Sequence, residues 1–404
     1  MDLAFVESPV QLLNVLEWAH APAPAAVPAQ PGPDAARGGR ARGGEPTVAA
    51  RGGEPTAGAR GGEPTVAARG GEPTAGARGG EPTVAARGGD LMVVVLSPTD
   101  PMSRGQLRRM AELARDEGIT VRWQEARGGA DAVVRTVRAL GPELRRAERI
   151  VIGDPFSRYV QLLLTLVGTR RLTVVDDGTA TMEFVAQLTR GERLVRWHRR
   201  GRRGPRELLL APVSAAARRR LTPSGRREVE LFTAMPVEEA PEGITVTANR
   251  FRWTRSRFGP PLLTRGADLV GTSLVETGVV GPEPYLEAVG SLARAHGATR
   301  YFAHRREGTD KLHRLAAATG LEIVRPDLPL ELIARRGPVG RTVLSFPSTV
   351  VHTLPLALAG TGVTVAVCDI APEWLRDTAS PRAQGFLAGV TGTARHVHRL
   401  SAPA

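Results

Sequence analysis

The sequence predicts an α/β protein of two Rossmann-like domains facing across a cleft, the first carrying a disordered low-complexity insertion. Three observations predict it. Short runs rich in Val, Ile and Leu recur ahead of segments with helical spacing, the alternation of strand and crossover helix that builds a parallel sheet covered on both faces. The alternation occurs in two series, and 404 residues at 42% hydrophobic content are enough for two cores. Between the first helix and the second strand stands a nonapeptide repeat with no capacity to form a core.

In chain order, LAFVES (3–8) reads as a short strand and PVQLLNVLEWA (9–19) as a helix that admits Pro9 at its first position. Beyond the insertion, LMVVVLS (91–97) is a buried strand and RGQLRRMAELARDEG (104–118) an amphipathic helix stopped at Gly118. TVRWQ, a helix near 130–140, RIVIGD (149–154), a helix over 156–167 and RLTVVDD (171–177) continue the series. The second series runs through ADLVG (267–271), a helix at about 282–296, TRYFAH (299–304) and a helix around 309–319. TVLSF (342–346), a helix after Pro347 shortened or kinked by Pro355, and VTVAVCD (363–369) complete it. Residues 1–20 and 90–255 are therefore assigned to the first domain and 256–404 to the second, with the last residues packing back on the first. Two such domains share the outline of the glycosyltransferase-B architecture, of phosphorylases and of periplasmic-type binding proteins.

Between residues 42 and 86, RGGEPTVAA alternates with RGGEPTAGA, five units in all. Arg-Gly-Gly repeats suggest an RNA-binding tail, but each unit balances one Arg with one Glu and has no aromatic on which a base could stack. Gly, Pro and Ala in this proportion bury no core and the glycine period does not fit collagen, so residues 21–89 are expected to be disordered. The formal charge of +13 is almost wholly arginine, Lys311 being the only lysine. A GC-rich coding sequence yields the same bias, so charge alone assigns no nucleic-acid partner. The densest cluster, WHRRGRRGPREL (197–208) with ARRRLTPSGRR (217–227), suits solvated loops around a helix or a patch for an anionic membrane or acceptor.

Cys368 is the only cysteine, which excludes a disulfide and a cysteine-built metal site. His396 and His398 are spaced for one face of a strand, and a surface pair is expected of them. No stretch reaches the roughly 18 apolar residues of a membrane span, and Asp2 and Glu7 stand where a secretion signal is basic. The expectation is a cytoplasmic protein, at most peripheral to a membrane.

In open parallel sheets ligands bind beyond the carboxyl ends of the strands, where the unusual residues of this chain fall. VVDDGTAT (174–181) ends a buried strand on Asp176 and Asp177. Neighbours in an extended segment point to opposite faces, so one of the two aims into the cleft, as a general base, while the alternative for either is a cap of the next helix ahead of Gly178. His304 titrates near neutrality beside Arg305 and Arg306, which suits an acid, although a histidine at a strand end also serves structure. In LSFPSTVVHTL (344–354), Ser348 and Thr349 open a helix and offer hydroxyls and free N–H groups, either to a phosphate or as an ordinary cap.

DDG in the first domain, a histidine after a strand of the second, LPLE and then ST resemble the bacterial sialyltransferases and polysialyltransferases of the glycosyltransferase-B type. These carry an acidic-acidic-Gly motif, a His-Pro motif, a glutamate and a Ser-Ser/Thr motif in this order, and FVESPVQLLNVLE is similar to their opening strand and helix. One departure is Arg305 in place of the proline. The resemblance implies an inverting, metal-independent transfer of sialic acid from a CMP donor to the hydroxyl of a glycan or glycolipid, with no cofactor and no nucleic acid. It implies Asp176 as base, Asp177 being the second choice for that role, and His304 as the group that protonates or hydrogen-bonds the leaving phosphate. Ser348 and Thr349 would hold that phosphate and Glu331 the ribose, although LPLELI by itself reads as a solvent-facing helix. The acceptor is expected on the first domain, near Ser8, Gln11, Asp154 and the loop after Gly178. The remaining alternatives are a transferase of another CMP-ulosonic acid, a non-catalytic nucleotide- or glycan-binding protein, and an RNA-binding protein acting through its repeats.

Overall fold

The computed structural model describes residues 1–22, 90–126, 130–196, 205–379 and 381–402. The repeat segment, from residue 23 to residue 89, and the arginine stretch 197–204 lie outside the described residues.

The first domain alternates β1 (Asp2–Val6), α1 (Pro9–Ala19), β2 (Leu91–Leu96), α2 (Pro101–Asp116), β3 (Thr120–Gln124), α3 (Ala130–Arg146), β4 (Arg149–Ile152), α4 (Arg158–Leu166), β5 (Arg171–Val175), α5 (Thr179–Thr189) and α6 (Pro205–Leu221) with β6 (Glu228–Thr233) and β7 (Ile244–Ala248). The strands are parallel, in the order β3-β2-β1-β4-β5-β6-β7. Because helices cover both faces, the strands read as continuous apolar runs whose side chains divide by parity. Leu3 and Phe5 join Leu140, Leu163 and Phe184 on one face. Ala4 and Val6 join Leu12, Leu16 and Met110 on the other. Local chemistry starts the helices: Ser8 Oγ accepts the Gln11 N–H at 3.2 Å with Pro9 in the first turn, and an Asp100 carboxylate oxygen accepts the Ser103 N–H at 2.7 Å.

After α7 (Arg252–Arg257) the second domain runs β8 (Leu263–Val270), α8 (Pro282–His296), β9 (Ala298–Phe302), α9 (Thr309–Thr319), β10 (Glu322–Val324), α10 (Leu330–Arg336), β11 (Val339–Ser345), α11 (Val350–Ala357), β12 (Thr364–Cys368), α12 (Pro381–Thr393) and β13 (His398–Leu400). Its sheet is again all parallel, ordered β10-β9-β8-β11-β12-β13. Two doubly wound sheets in one chain are the glycosyltransferase-B outline. The final strand corrects two expectations. β13 pairs with β12, so these C-terminal residues complete the second sheet and do not return to the first. His396 precedes that strand with φ 61°, so it shares no strand face with His398.

The domains meet through α1. Leu328 and Leu332 of the second domain, with Ala357, pack into the same core as Leu12 and Leu16. Buried Glu17 accepts the backbone N–H groups of Trp253 (3.0 Å) and Thr254 (2.8 Å), which fixes the start of α7 against α1. α1 ends and β2 begins at the amino ends of the strands.

Candidate functional site

The carboxyl ends of both sheets open onto one cleft of about 1290 Å³, lined from both domains. Strand order reverses between β1 and β4 in one sheet and between β8 and β11 in the other, and the loops after these strands contribute Ser8 and Asp154 on one side and Gly271, Ser348 and Thr349 on the other.

Asp176 and Asp177 leave β5 in opposite directions, as an extended pair must. The carboxylate of Asp176 turns inward to the end of β6, where Thr233 Oγ1 and the Ala234 N–H each donate to it at 2.5 Å, and only 2% of the residue is exposed. Burial pushes its pKa up to about 6, against the pull of those two donors. Asp177 is half-buried and turns to the cleft, where Arg196 donates to its Oδ2 at 3.2 Å and the Gln11 side chain bonds to it. Burial raises its pKa as well, with Asp154 adding to the rise and Arg196 opposing it. Of the pair, Asp177 is therefore the one whose carboxylate turns to the cleft, whereas the sequence led us to expect Asp176. The physical reason is β6, whose end offers two donors to the side chain on the inner face of β5. Neither aspartate caps α5, whose first turn follows Gly178 with no side-chain cap.

His304 lies just past β9 in a tight turn. The Arg306 N–H donates to its Nδ1 at 3.2 Å, which leaves the proton of the neutral ring on Nε2. Burial, with Arg305, Arg306 and Lys311 adding, lowers its pKa to about 4, so the ring is a neutral donor at pH 7. The turn is locked by Glu307, which is 3% exposed: its Oε2 accepts the His304 N–H at 2.6 Å, while Tyr301 Oη donates to Oε1 at 2.7 Å and Lys311 Nζ lies 2.7 Å from the same oxygen. Gly271 is required beside this cluster, since a Cβ there would come within 2.6 Å of Tyr301 Oη.

Ser348 and Thr349 precede α11, and no side chain caps its first turn. Thr349 meets the DDG motif directly. A Cβ on Gly178 would lie 3.2 Å from Thr349 Cγ2, and Gly178 holds φ +62°, so glycine is demanded by both conformation and contact. Glu331, in the first turn of α10, lines the cleft at 6% exposure and accepts from Thr353 Oγ1 at 2.6 Å. Burial raises its pKa. A solvent-facing glutamate, the plain helical expectation for LPLELI, is thus corrected by the packing of α10 on α11.

Several site residues carried no recognisable sequence signal. Arg196 bridges Asp154 (2.8 Å) and Asp177 (3.2 Å) and stacks over Phe156, yet in the sequence it is one arginine among many. Asn14 donates to the Asp176 carbonyl at 3.0 Å and accepts from Asn249 at 2.9 Å, holding the motif's backbone to α1. Only Glu307 left a trace, the His-x-x-Glu spacing of a side chain that caps its own turn. Among the described residues no three His, Cys, Asp or Glu side chains gather as a metal site. No described helix is long and apolar enough to cross a membrane.

No family model matches the chain, and no curated protein matches it. Among solved structures it is similar to an α/β-galactoside α-2,3-sialyltransferase from Photobacterium phosphoreum, at 9% identity and TM-score 0.43 over 76% of this chain and 90% of that one. It is also similar to a Listeria monocytogenes protein assigned as a UDP-N-acetylglucosamine 2-epimerase, at 10% identity and TM-score 0.45 over 91% of this chain and 78% of that one. Likenesses at this distance carry no chemistry, and the architecture rests on the two sheets themselves.

Proposed function

We propose that this protein is an inverting glycosyltransferase that moves sialic acid, or a related nonulosonic acid, from a CMP donor to a sugar hydroxyl. One observation carries the reading: of the two aspartates that end β5, Asp177 turns to the cleft on one domain, and the other domain lines that cleft with a neutral Nε2–H donor, His304, and an uncapped hydroxyl-bearing helix start. A single displacement asks for this division, a base at the nucleophile and an acid at the leaving group on opposite sides of the reacting carbon. Asp177 takes the proton of the acceptor hydroxyl as its oxygen bonds to the anomeric carbon. The bond from that carbon to the phosphate oxygen breaks, its electron pair leaves on CMP, and His304 stabilises the departing oxygen with a hydrogen bond donated from its neutral Nε2–H.

Other residues position these groups. Asp176 holds β5 to β6 and so fixes its neighbour, while Arg196 and Gln11 orient the base. Ser348 and Thr349 bind the phosphate with the N–H groups opening α11, and Glu331 takes the ribose hydroxyls. The acceptor lies along Ser8, Gln11 and Asp154, and the donor carries no metal, since cationic and N–H donors of the chain stabilise a nucleoside monophosphate leaving group.

The test is CMP release from CMP-sialic acid, with and without lactose-type acceptors, in EDTA, for the intact protein and for Asp177→Asn and His304→Ala. Acceptor-dependent release that survives EDTA and is lost in both variants supports the reading. Absence of both release and CMP binding in the intact protein overturns it.

A further inference from the structure

The cleft holds a cation that no described residue neutralises directly. Arg305 follows His304 on the turn after β9, half-buried in the cleft wall. Among the described residues its guanidinium has no hydrogen-bond or ion-pair partner, whereas Arg196 is committed to Asp154 and Asp177. Burial works against the charge of Arg305 and Asp177 and Asp100 work for it, so it faces carboxylates without bonding to them. A half-buried arginine whose unfilled fork reaches the cleft is poised for a planar anion that it takes in two parallel N–H···O bonds.

Its position narrows which anion. If Asp177 receives the acceptor proton and His304 serves the leaving phosphate, the reacting carbon lies between them, and Arg305 belongs to the same stretch of cleft wall. Positive charge grows on that carbon as the bond to phosphate breaks, so a bare guanidinium there opposes the reaction of an aldose donor, which carries only hydrogen at that carbon. A sugar acid whose anomeric carbon bears a carboxylate brings the countercharge with it.

We infer that Arg305 binds the carboxylate carried on the donor's reacting carbon, and that this contact selects 2-keto sugar acids over aldose donors. The inference rests on the transferase reading above and assigns a specificity residue within it. Arg305 occupies the position after the histidine where the resembled enzymes have proline, so the contact belongs to this chain's own sequence.

The experiment compares the intact protein with Arg305→Ala and Arg305→Lys, using CMP-sialic acid, its carboxyl methyl ester and CMP alone. For CMP-sialic acid, kcat/KM falls about 10- to 100-fold in Arg305→Ala, the range of a charge-assisted contact, and falls less in Arg305→Lys, which keeps the charge without the fork. The intact protein discriminates against the ester by a similar factor, and Arg305→Ala does not discriminate at all. Calorimetric affinity for CMP stays unchanged in both variants, which also reports that they fold. Equal losses for acid and ester, or a parallel loss of CMP affinity showing that Arg305 serves the phosphate, overturn the inference while leaving the transferase standing. An intact protein that neither binds CMP nor releases it from the acid removes the underlying reading instead.

Discussion

Replacing Asp176 with asparagine isolates the charge on which β5 ends. The carboxylate is 2% exposed and accepts from Thr233 Oγ1 and the Ala234 N–H, and its pKa stands at about 6 in the folded protein against 3.8 for an ordinary aspartate. A folded-state pKa raised above the unfolded one means stability that is fully present below about pH 3.8 and lost as pH rises through 6. The difference of 2.2 units, 6 less 3.8, corresponds to about 3 kcal/mol at 1.36 kcal/mol per unit. Asparagine has the shape of the protonated acid and cannot ionise, so the variant gains on the parent by about that amount between acid and neutral pH. Urea unfolding followed by tryptophan fluorescence at a series of pH values reads the difference, with Trp18 reporting from the core of the same domain. All other titrating groups are common to both proteins and cancel to first order. A stability difference that stays flat from about pH 3.5 to pH 7 would refute the placement of this carboxylate between β5 and β6.

The neighbouring carboxylate should behave differently. Asp177→Asn should lower kcat on the order of 10²- to 10⁴-fold while CMP affinity is kept, in steady-state kinetics paired with calorimetry. Arg196→Gln removes the positive charge that holds the Asp177 pKa down, so the acidic limb of the kcat/KM profile should move to higher pH by about one unit. A limb that stays in place would separate it from Asp177. Gly178→Ala should cost about 1–3 kcal/mol in thermal unfolding, because φ +62° disfavours a side chain and Thr349 stands 3.2 Å from the added Cβ. Replacing residues 23–89 with a short flexible linker should leave turnover intact, since the cleft is lined by described residues outside that segment. Loss of turnover there would restore the repeat-dependent alternative.

What the sequence determined by itself was periodic or conformational, and therefore local. The apolar runs of β1, β2, β4 and β5 declared buried strands, and Pro9 at a permitted first position placed the start of α1. The order of the acidic pair, the histidine, the glutamate and the hydroxyl pair also marked the loops that form the cleft, because parallel sheets return every strand end to one edge. Strands β6 and β7 drew no expectation, since Glu230 and the polar Thr245 and Thr247 break the apolar runs there, and β10 is only three residues long.

Tertiary structure alone decided which groups meet. Asp176 and Asp177 are equivalent as text; β6, more than fifty residues downstream, supplies the donors that draw one inward and leaves the other to the cleft. Glu331 is an ordinary helical glutamate until α11 packs against it and gives it Thr353. Arg196 and Arg305 are two arginines in an arginine-rich chain, and the folded cleft distinguishes them, one paired with two carboxylates and the other left with an open fork. Hydrogen bonding and desolvation depend on separation in space, and a chain that folds through two parallel sheets sets those separations by crossovers that no local pattern encodes.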